Sequence, residues 1–395
     1  MGGSWAAGVK SKYIHFTKHL LCKNSDSRGE HRMKSLAVTR RQLGLLGAGA
    51  LAAIGLPSRA QQAVRRPLVA DMHSHYGMFL PRLFGLDLDR HMRENGIVLM
   101  AWAVVDDRPW MSSAGRGPLR QVAEPQPGQI WEGWQALMKD YESRLQQWKV
   151  AKALTPADVD LALAGEPRVL LACESANFLE GQPERLEAAH AMGVRHLQLV
   201  HYIRSPLGDH QTAEPVHGRL TPVGAQVVAQ CRRLGMVVDL AHGAASVVDG
   251  ALDASDAAMV WSHSWISPVG GTYSDPGYVA RSLSPAVAKK IAARGGAIGL
   301  WCLRLGNDPA YPVNSKRSYA DEIMRMCDLV GPAHVAFGTD MEGVWPSRMM
   351  NDYADLRDVI DNLAQRGLDE ATLANVFVGN YARIVKAAMQ GAATS

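Results

Sequence analysis

The feature that most constrains this chain is a repeated alternation. From Arg66 onward, short apolar runs rich in β-branched residues alternate with stretches patterned for helices. Eight runs, at 68–73, 97–105, 168–174, 195–201, 236–242, 258–263, 297–301 and 334–340, are predicted strands. Helix-period segments lie between them, among them 131–150, 183–192, 222–234, 285–294 and 319–330. Pro183, Pro222 and Pro285 stand where helices begin, and Gly193, Gly235 and Gly295 where they end. Strand-helix alternation repeated eight times predicts an α/β fold, a (β/α)8 TIM-type barrel. The alternative is a doubly wound open sheet. It calls for a glycine-rich phosphate turn after the first strand, and His73-Ser74-His75-Tyr76 is not one. Segments 353–367 and 370–389 read as closing helices. All of 61–395 is then one barrel domain, large enough to fold without a disulfide or a structural metal. The five cysteines form no CxxC pair, and four lie in apolar surroundings that suit small core residues.

The first sixty residues read as an address. They carry ten basic side chains against Asp26 and Glu30, so of the net charge of +4 this segment holds +8 and the remainder −4. A body of that balance has no electrostatic case for nucleic acid. Arg40-Arg41 precedes an uncharged stretch from Leu43 to Leu56, too short to span a bilayer. Pro57 and the small-x-small pattern Ser58-Arg59-Ala60 follow. Charged, apolar and small-residue regions in that order describe an export signal, and the paired arginines resemble the twin-arginine type. The expectation is recognition by twin-arginine export machinery and a periplasmic or secreted product. The alternative is an uncleaved signal that anchors the chain to the membrane. Met33 offers an alternative start, which would make 1–32 an upstream artefact.

Polar residues fall where the strands end. The first strand ends Asp71-Met72-His73-Ser74-His75, the third at Glu174, the fourth at His201, the fifth at His242, the sixth at His263 and the eighth at Asp340. In a barrel these ends meet at one face, where active sites are built. Taken singly, each has an ordinary explanation: a helix cap for Glu174 or Asp340, a satisfied core residue for His242 or His263, a loop histidine for His201. Together, imidazoles and carboxylates at an apolar mouth are costly unless something pairs them, and a metal centre is the simplest pairing. Imidazole and carboxylate donors without thiolates suit zinc, and also manganese, cobalt or iron. Five or six donors, with one carboxylate able to bridge, fit two divalent ions better than one. Two ions can clamp and activate a water, and Asp340 would then carry the proton to the leaving group.

Several segments together resemble the membrane (renal-type) dipeptidase family of the amidohydrolase superfamily. They are Cys173-Glu174-Ser175-Ala176 with Leu186 and Gly193-Val194-Arg195; Leu220-Thr221-Pro222 through Asp239-Leu240-Ala241-His242; Trp261-Ser262-His263-Ser264; Arg281-Ser282-Leu283-Ser284 with Gly295-Gly296; and Gly338-Thr339-Asp340-Met341-Glu342-Gly343. The likeness covers nearly all of 66–390. It implies that His73 and His75 hold one metal, that Glu174 bridges to a second held by His242 and His263, and that Asp340 is the acid/base group beside the first. His201 would meet the scissile carbonyl or its oxyanion, and Arg281 the substrate's terminal carboxylate, a task suited to its fork of donors. Four positions depart from the family pattern: His75 stands for Asp, Ser175 for Gly, His190 for Tyr and Ser282 for Asn.

The implied activity is hydrolysis of a dipeptide or a close amide analogue. One alternative is hydrolysis of a lactam, lactone or N-acyl amino acid on the same barrel. Another is a non-catalytic periplasmic protein that binds metal or solute. Trp102, Trp110, Trp131 and Trp134 either line a pocket rim or a subunit contact, compatible with a homodimer, or pack in ordinary amphipathic fashion.

Overall fold

The computed structural model describes residues 67–392 apart from 80–86, 114–118, 269, 276, 305–310, 312 and 345–346. The export-type segment lies outside the described residues. Eight parallel strands form the barrel wall, in chain order: β1 Val69–Ser74, β2 Ile97–Val104, β3 Arg168–Cys173, β4 Val194–Gln198, β5 Val237–Asp239, β6 Val260–Ser264, β7 Ala297–Leu300 and β8 Val335–Phe337; a ninth, two-residue strand, Ala151–Lys152, pairs with the start of β3. Each of the eight pairs with the next in parallel register. Nearly all their residues are buried, as expected of barrel strands covered on both faces.

Contacts just past the end of β8 join it to β1, so that the cylinder is nearly closed. Ser74 bridges to Met341 in parallel, His75 N donates to Met341 O at 3.0 Å, and Asp340 N donates to His73 O at 2.9 Å. The Asp71 carboxylate stitches the same seam. It accepts from Thr339 N at 2.9 Å, Thr339 Oγ1 at 2.6 Å and the Tyr353 hydroxyl at 2.5 Å. Burial pushes Asp71 up to about 6, against the pull of the Thr339 and Tyr353 donors. The doubly wound alternative is thereby excluded, because an open sheet has no such seam.

The helices follow from local signals. In α1, Leu88–Asn95, the Asp87 side chain caps Arg90 N, and Gly96 closes the other end at φ 69°. α2, Gln129–Trp148, buries Ile130, Trp134, Met138, Tyr141 and Leu145 on one stripe. α3, Pro156–Leu163, has a Thr155–Asp158 capping box. α4 is Arg185–Ala191, α5 Pro222–Leu234, α6 Ala245–Ala254, α7 Pro285–Ala293 and α8 Lys316–Val330. α5 and α7 start with proline behind a Thr221 or Ser284 cap. The tail folds as α9, Leu356–Gln365, α10, Glu370–Ala374, a π-turn over Asn375–Gly379, and α11, Asn380–Ala392. None of the described helices is long and apolar enough to cross a membrane.

The tryptophans resolve toward packing. Trp102 and Trp134 are fully buried and Trp110 nearly so. Trp102 stacks on Tyr141, and Trp134 on Phe178. Half-buried Trp131 lies under the Arg185 guanidinium. Cys173, Cys231, Cys302 and Cys327 are buried free thiols.

Candidate metal centre

Every strand-end donor read from the sequence arrives at one place. His73 Nε2 and His75 Nε2 lie 3.2 Å apart. Glu174 sits between the imidazoles: Oε1 is 3.4 Å from His73, 3.3 Å from His201, 3.4 Å from His242 and 3.6 Å from His263, while Oε2 is 3.1 Å from His75. His242 Nε2 and His263 Nε2 are 3.1 Å apart. Asp340 Oδ1 is 3.1 Å from His75 Nε2 and 4.0 Å from His73 Nε2. Three overlapping groups bring one donor atom per residue within 4.8 Å of each other: His73, His75 and Asp340; His73, Glu174 and His263; Glu174, His201 and His242. His201 therefore stands inside the convergence rather than beyond it.

The donor set fits a cation. The facing nitrogens of each buried histidine pair, 3.2 and 3.1 Å apart, can hold at most one proton between them in the neutral form, and a cation would take the lone pairs of both. Asp340 Oδ1 is buried, and among the described residues it has the His75 imidazole 3.1 Å away but no well-aligned hydrogen-bond donor. Burial, Arg281 and neighbouring imidazoles hold His242 and His263 well below the usual histidine range, which leaves them neutral, as ligands must be. Burial would push Glu174 up, but His201, His73 and His75 hold it well below the carboxylate range. Burial would likewise drive His75 and His201 down, yet their carboxylate neighbours hold each at about 10.

A second layer orients these side chains. His75 Nδ1 meets Ala103 O at 2.9 Å, and His263 Nδ1 meets Ser262 Oγ at 2.8 Å. His201 Nδ1 is 2.9 Å from Asp107 Oδ1, a fully buried carboxylate at the end of β2. Trp301 Nε1 donates to Asp340 Oδ2 at 2.9 Å. Such partners fix tautomer and ring direction. Asp107 and Trp301 were not foreseen from the sequence. The adjacent acids Asp106-Asp107 at a strand end were a usable signal.

The backbone is strained where the donors sit. His242 and Asp340 have φ of 66° and 53°, left-handed values that cost a residue with a Cβ roughly 1–2 kcal/mol. The eighth-strand motif explains its own glycines. A Cβ on Gly338 would run into Ser262 O, and one on Gly343 into the Asp340 carboxylate. Ser175, at φ 149°, occupies backbone that favours glycine. Its hydroxyl donates to Asp106 Oδ1 at 2.5 Å, which ties that conformation down.

Arg281, in the turn Gly277–Arg281, is fully buried. Its Cζ lies 5.1 Å from the Trp301 ring centre, and Trp301 in turn touches His263 and Asp340. Its Nε and Nη2 have no partner among the described residues. A cavity of about 500 Å³ opens beside Tyr202, whose ring packs against His201 and His242.

Residues 90–395 match the family model described as membrane dipeptidase, peptidase family M19. The chain belongs to the membrane dipeptidase family. Among curated members, it is similar to the dipeptidase verJ of Clonostachys rogersoniana, 26% identical over 252 residues, covering 63% of this chain and 61% of that one. It is also 25% identical to dipeptidase 3 of Mus musculus, covering 55% of this chain and 44% of that one. The chain thus matches about half the length of these dipeptidases. In fold it resembles a Rhodobacter sphaeroides metallo peptidase solved with a phosphinate mimic of the dipeptide L-Ala-D-Ala. The TM-score is 0.68 at 19% identity, covering 82% of this chain and 99% of that one. The match to the dipeptidase family model begins past β1, so His73 and His75 join the site on geometry alone.

Proposed function

We propose that this chain is a metal-dependent hydrolase of dipeptides, or of close amide analogues that carry a free carboxylate. The convergence of seven buried donors beside a buried guanidinium, two of whose nitrogens have no partner among the described residues, carries this reading. His73 and His75, with Asp340 adjacent, would hold one divalent ion. Glu174 would bridge, and His242 and His263 would hold a second. Zinc suits the donors best, and manganese, cobalt and iron share their chemistry. Bound there, the ions would acidify a water and polarise the scissile carbonyl. The dipeptidase relatives and the dipeptide mimic bound by the bacterial peptidase support the substrate class.

The chain's own groups divide the remaining work. Trp301 pins one oxygen of Asp340, which leaves Oδ1 to take the proton of the attacking water and pass it to the departing amine. His201, held by Asp107, would face the oxygen on which negative charge develops. Arg281 would receive the substrate carboxylate in a planar fork. A buried cation there favours a carboxylated substrate over a neutral lactone. We also propose that the paired arginines at 40 and 41 direct the protein to the periplasm by the twin-arginine route.

Asp340→Asn tests the reading. It keeps the shape of the side chain but cannot carry the proton. Metal content should survive while turnover on a dipeptide panel falls at least ~10²-fold. Near-normal turnover would sink the assignment. Absence of turnover in the fully metallated parent protein would instead favour a binding protein.

A further inference from the structure

Arg281 is held in an unusual way for a fully buried cation. Its Nη1 donates to Gln211 Oε1 at 2.7 Å, a neutral amide, and its flat face lies near the Trp301 ring. Neither neighbour carries a negative charge. A buried guanidinium is normally offset by a carboxylate, because an unpaired internal charge is costly. Gln211 is itself tightly fixed. Its backbone N donates to His242 O at 2.7 Å, and its Nε2 donates to Ser282 O at 3.1 Å. The side chain therefore spans the loop after β4 and the turn that bears Arg281, and it anchors to the backbone of a candidate ligand. Its amide orientation is set by these two opposite partners, a carbonyl for the NH2 and a guanidinium for the oxygen.

We infer that Gln211 is a positioning residue for substrate selection: it aims Arg281 into the site through a neutral acceptor, so that the full positive charge is kept for a substrate carboxylate. This rests on the dipeptidase reading and on the role given there to Arg281. The choice of amide over acid is the decisive feature. A glutamate of the same shape would form a charge-assisted pair with the guanidinium and cancel the field that draws the substrate in. A leucine would leave the charge but release its aim.

The test compares a dipeptide with the same dipeptide amidated at its C-terminus, on the metal-loaded protein. The wild type and the variants Gln211→Leu, Gln211→Glu and Arg281→Ala are measured, each checked for metal content and melting. The readout is the ratio of kcat/KM for acid over amide, with KM and kcat resolved. Arg281→Ala should lower the ratio about a hundredfold and Gln211→Leu about tenfold, both through KM for the acid. Gln211→Glu should lower it more than Gln211→Leu does, although it is the closer substitution in shape. Structural damage, including the lost donor to Ser282 O, would fall on both compounds alike and leave the ratio unchanged.

Equal losses on both compounds in Gln211→Glu, or an unchanged ratio in both Gln211 variants while Arg281→Ala shifts it, would overturn the inference. An unchanged ratio in Arg281→Ala would overturn the role of Arg281 and the inference with it. Failure of the wild type to cleave either compound would overturn the dipeptidase reading, and the inference with it, before any variant is made.

Discussion

Asp107→Asn removes one charge and no volume from the layer behind the candidate metal centre. Asp107 is fully buried, its Oδ1 2.9 Å from His201 Nδ1, while His201 Nε2 lies 3.3 Å from Glu174 Oε1. Burial alone would lower the His201 ring, yet the Asp107 and Glu174 carboxylates hold it at about 10. A hydrogen bond to a charged group contributes ~1.5–3 kcal/mol, and a neutral one about half of that. The exchange thus forfeits roughly 1–1.5 kcal/mol of support for a charged ring, about tenfold in rate. Asparagine can also accept from Nδ1–H, which leaves Nε2 of a neutral ring without a proton and unable to donate to an oxyanion. Both effects act on the transition state, so kcat should fall about 10- to 100-fold with KM little changed. The assay is steady-state kinetics on the best dipeptide, with elemental analysis and a melting curve on the same sample. A kcat within about twofold of the parent, with fold and metal intact, would refute the reasoning. Loss of metal in step with activity would show that His201 serves as a ligand, not as the group facing the substrate.

Two further outcomes are expected. Tyr353→Phe removes a donor from the buried Asp71 carboxylate at the barrel seam. It should lower unfolding free energy by ~1.5–3 kcal/mol, read as a lower urea midpoint at unchanged slope. Replacing both Arg40 and Arg41 with lysine should leave precursor in the cytoplasm, scored by fractionation with antibody detection. Normal export of that variant would remove the twin-arginine reading.

The eight strands were legible because barrel strands are buried on both faces and read as apolar runs. Their ends were less so. The runs 236–242 and 334–340 predict strand to the last residue, whereas β5 stops at Asp239 and β8 at Phe337. His242 and Asp340 have left-handed backbone, which no ladder can continue, and hydropathy carries no trace of that. The donors themselves were legible from their positions at the strand ends. The groups that steer them were not: Asp107 meets a partner 94 residues away, and Gln211 one 70 residues away. Such pairings obey no period. Ser175 shows the same limit, since its tolerance in glycine-like backbone depends on Asp106, on a different strand end.

The last helix bears on the order in which this molecule can come together during synthesis. Asn380 Nδ2 donates to Pro332 O and Val335 O, both at 2.7 Å, and the Tyr381 hydroxyl lies 2.7 Å from His196 Nδ1 on β4. The seam likewise joins Asp71 to Thr339, 268 residues apart. Contacts of such long range form late, because a long loop must first be closed against its entropy. A ribosome-bound chain presents His73 and His75 long before Asp340 exists, and the framework that holds them is incomplete until residue 381 has emerged. The donors therefore converge only at the end of folding, so a chain threaded unfolded across a membrane would assemble this cluster on the far side. One carried across folded would do so beforehand, in the compartment where it was made.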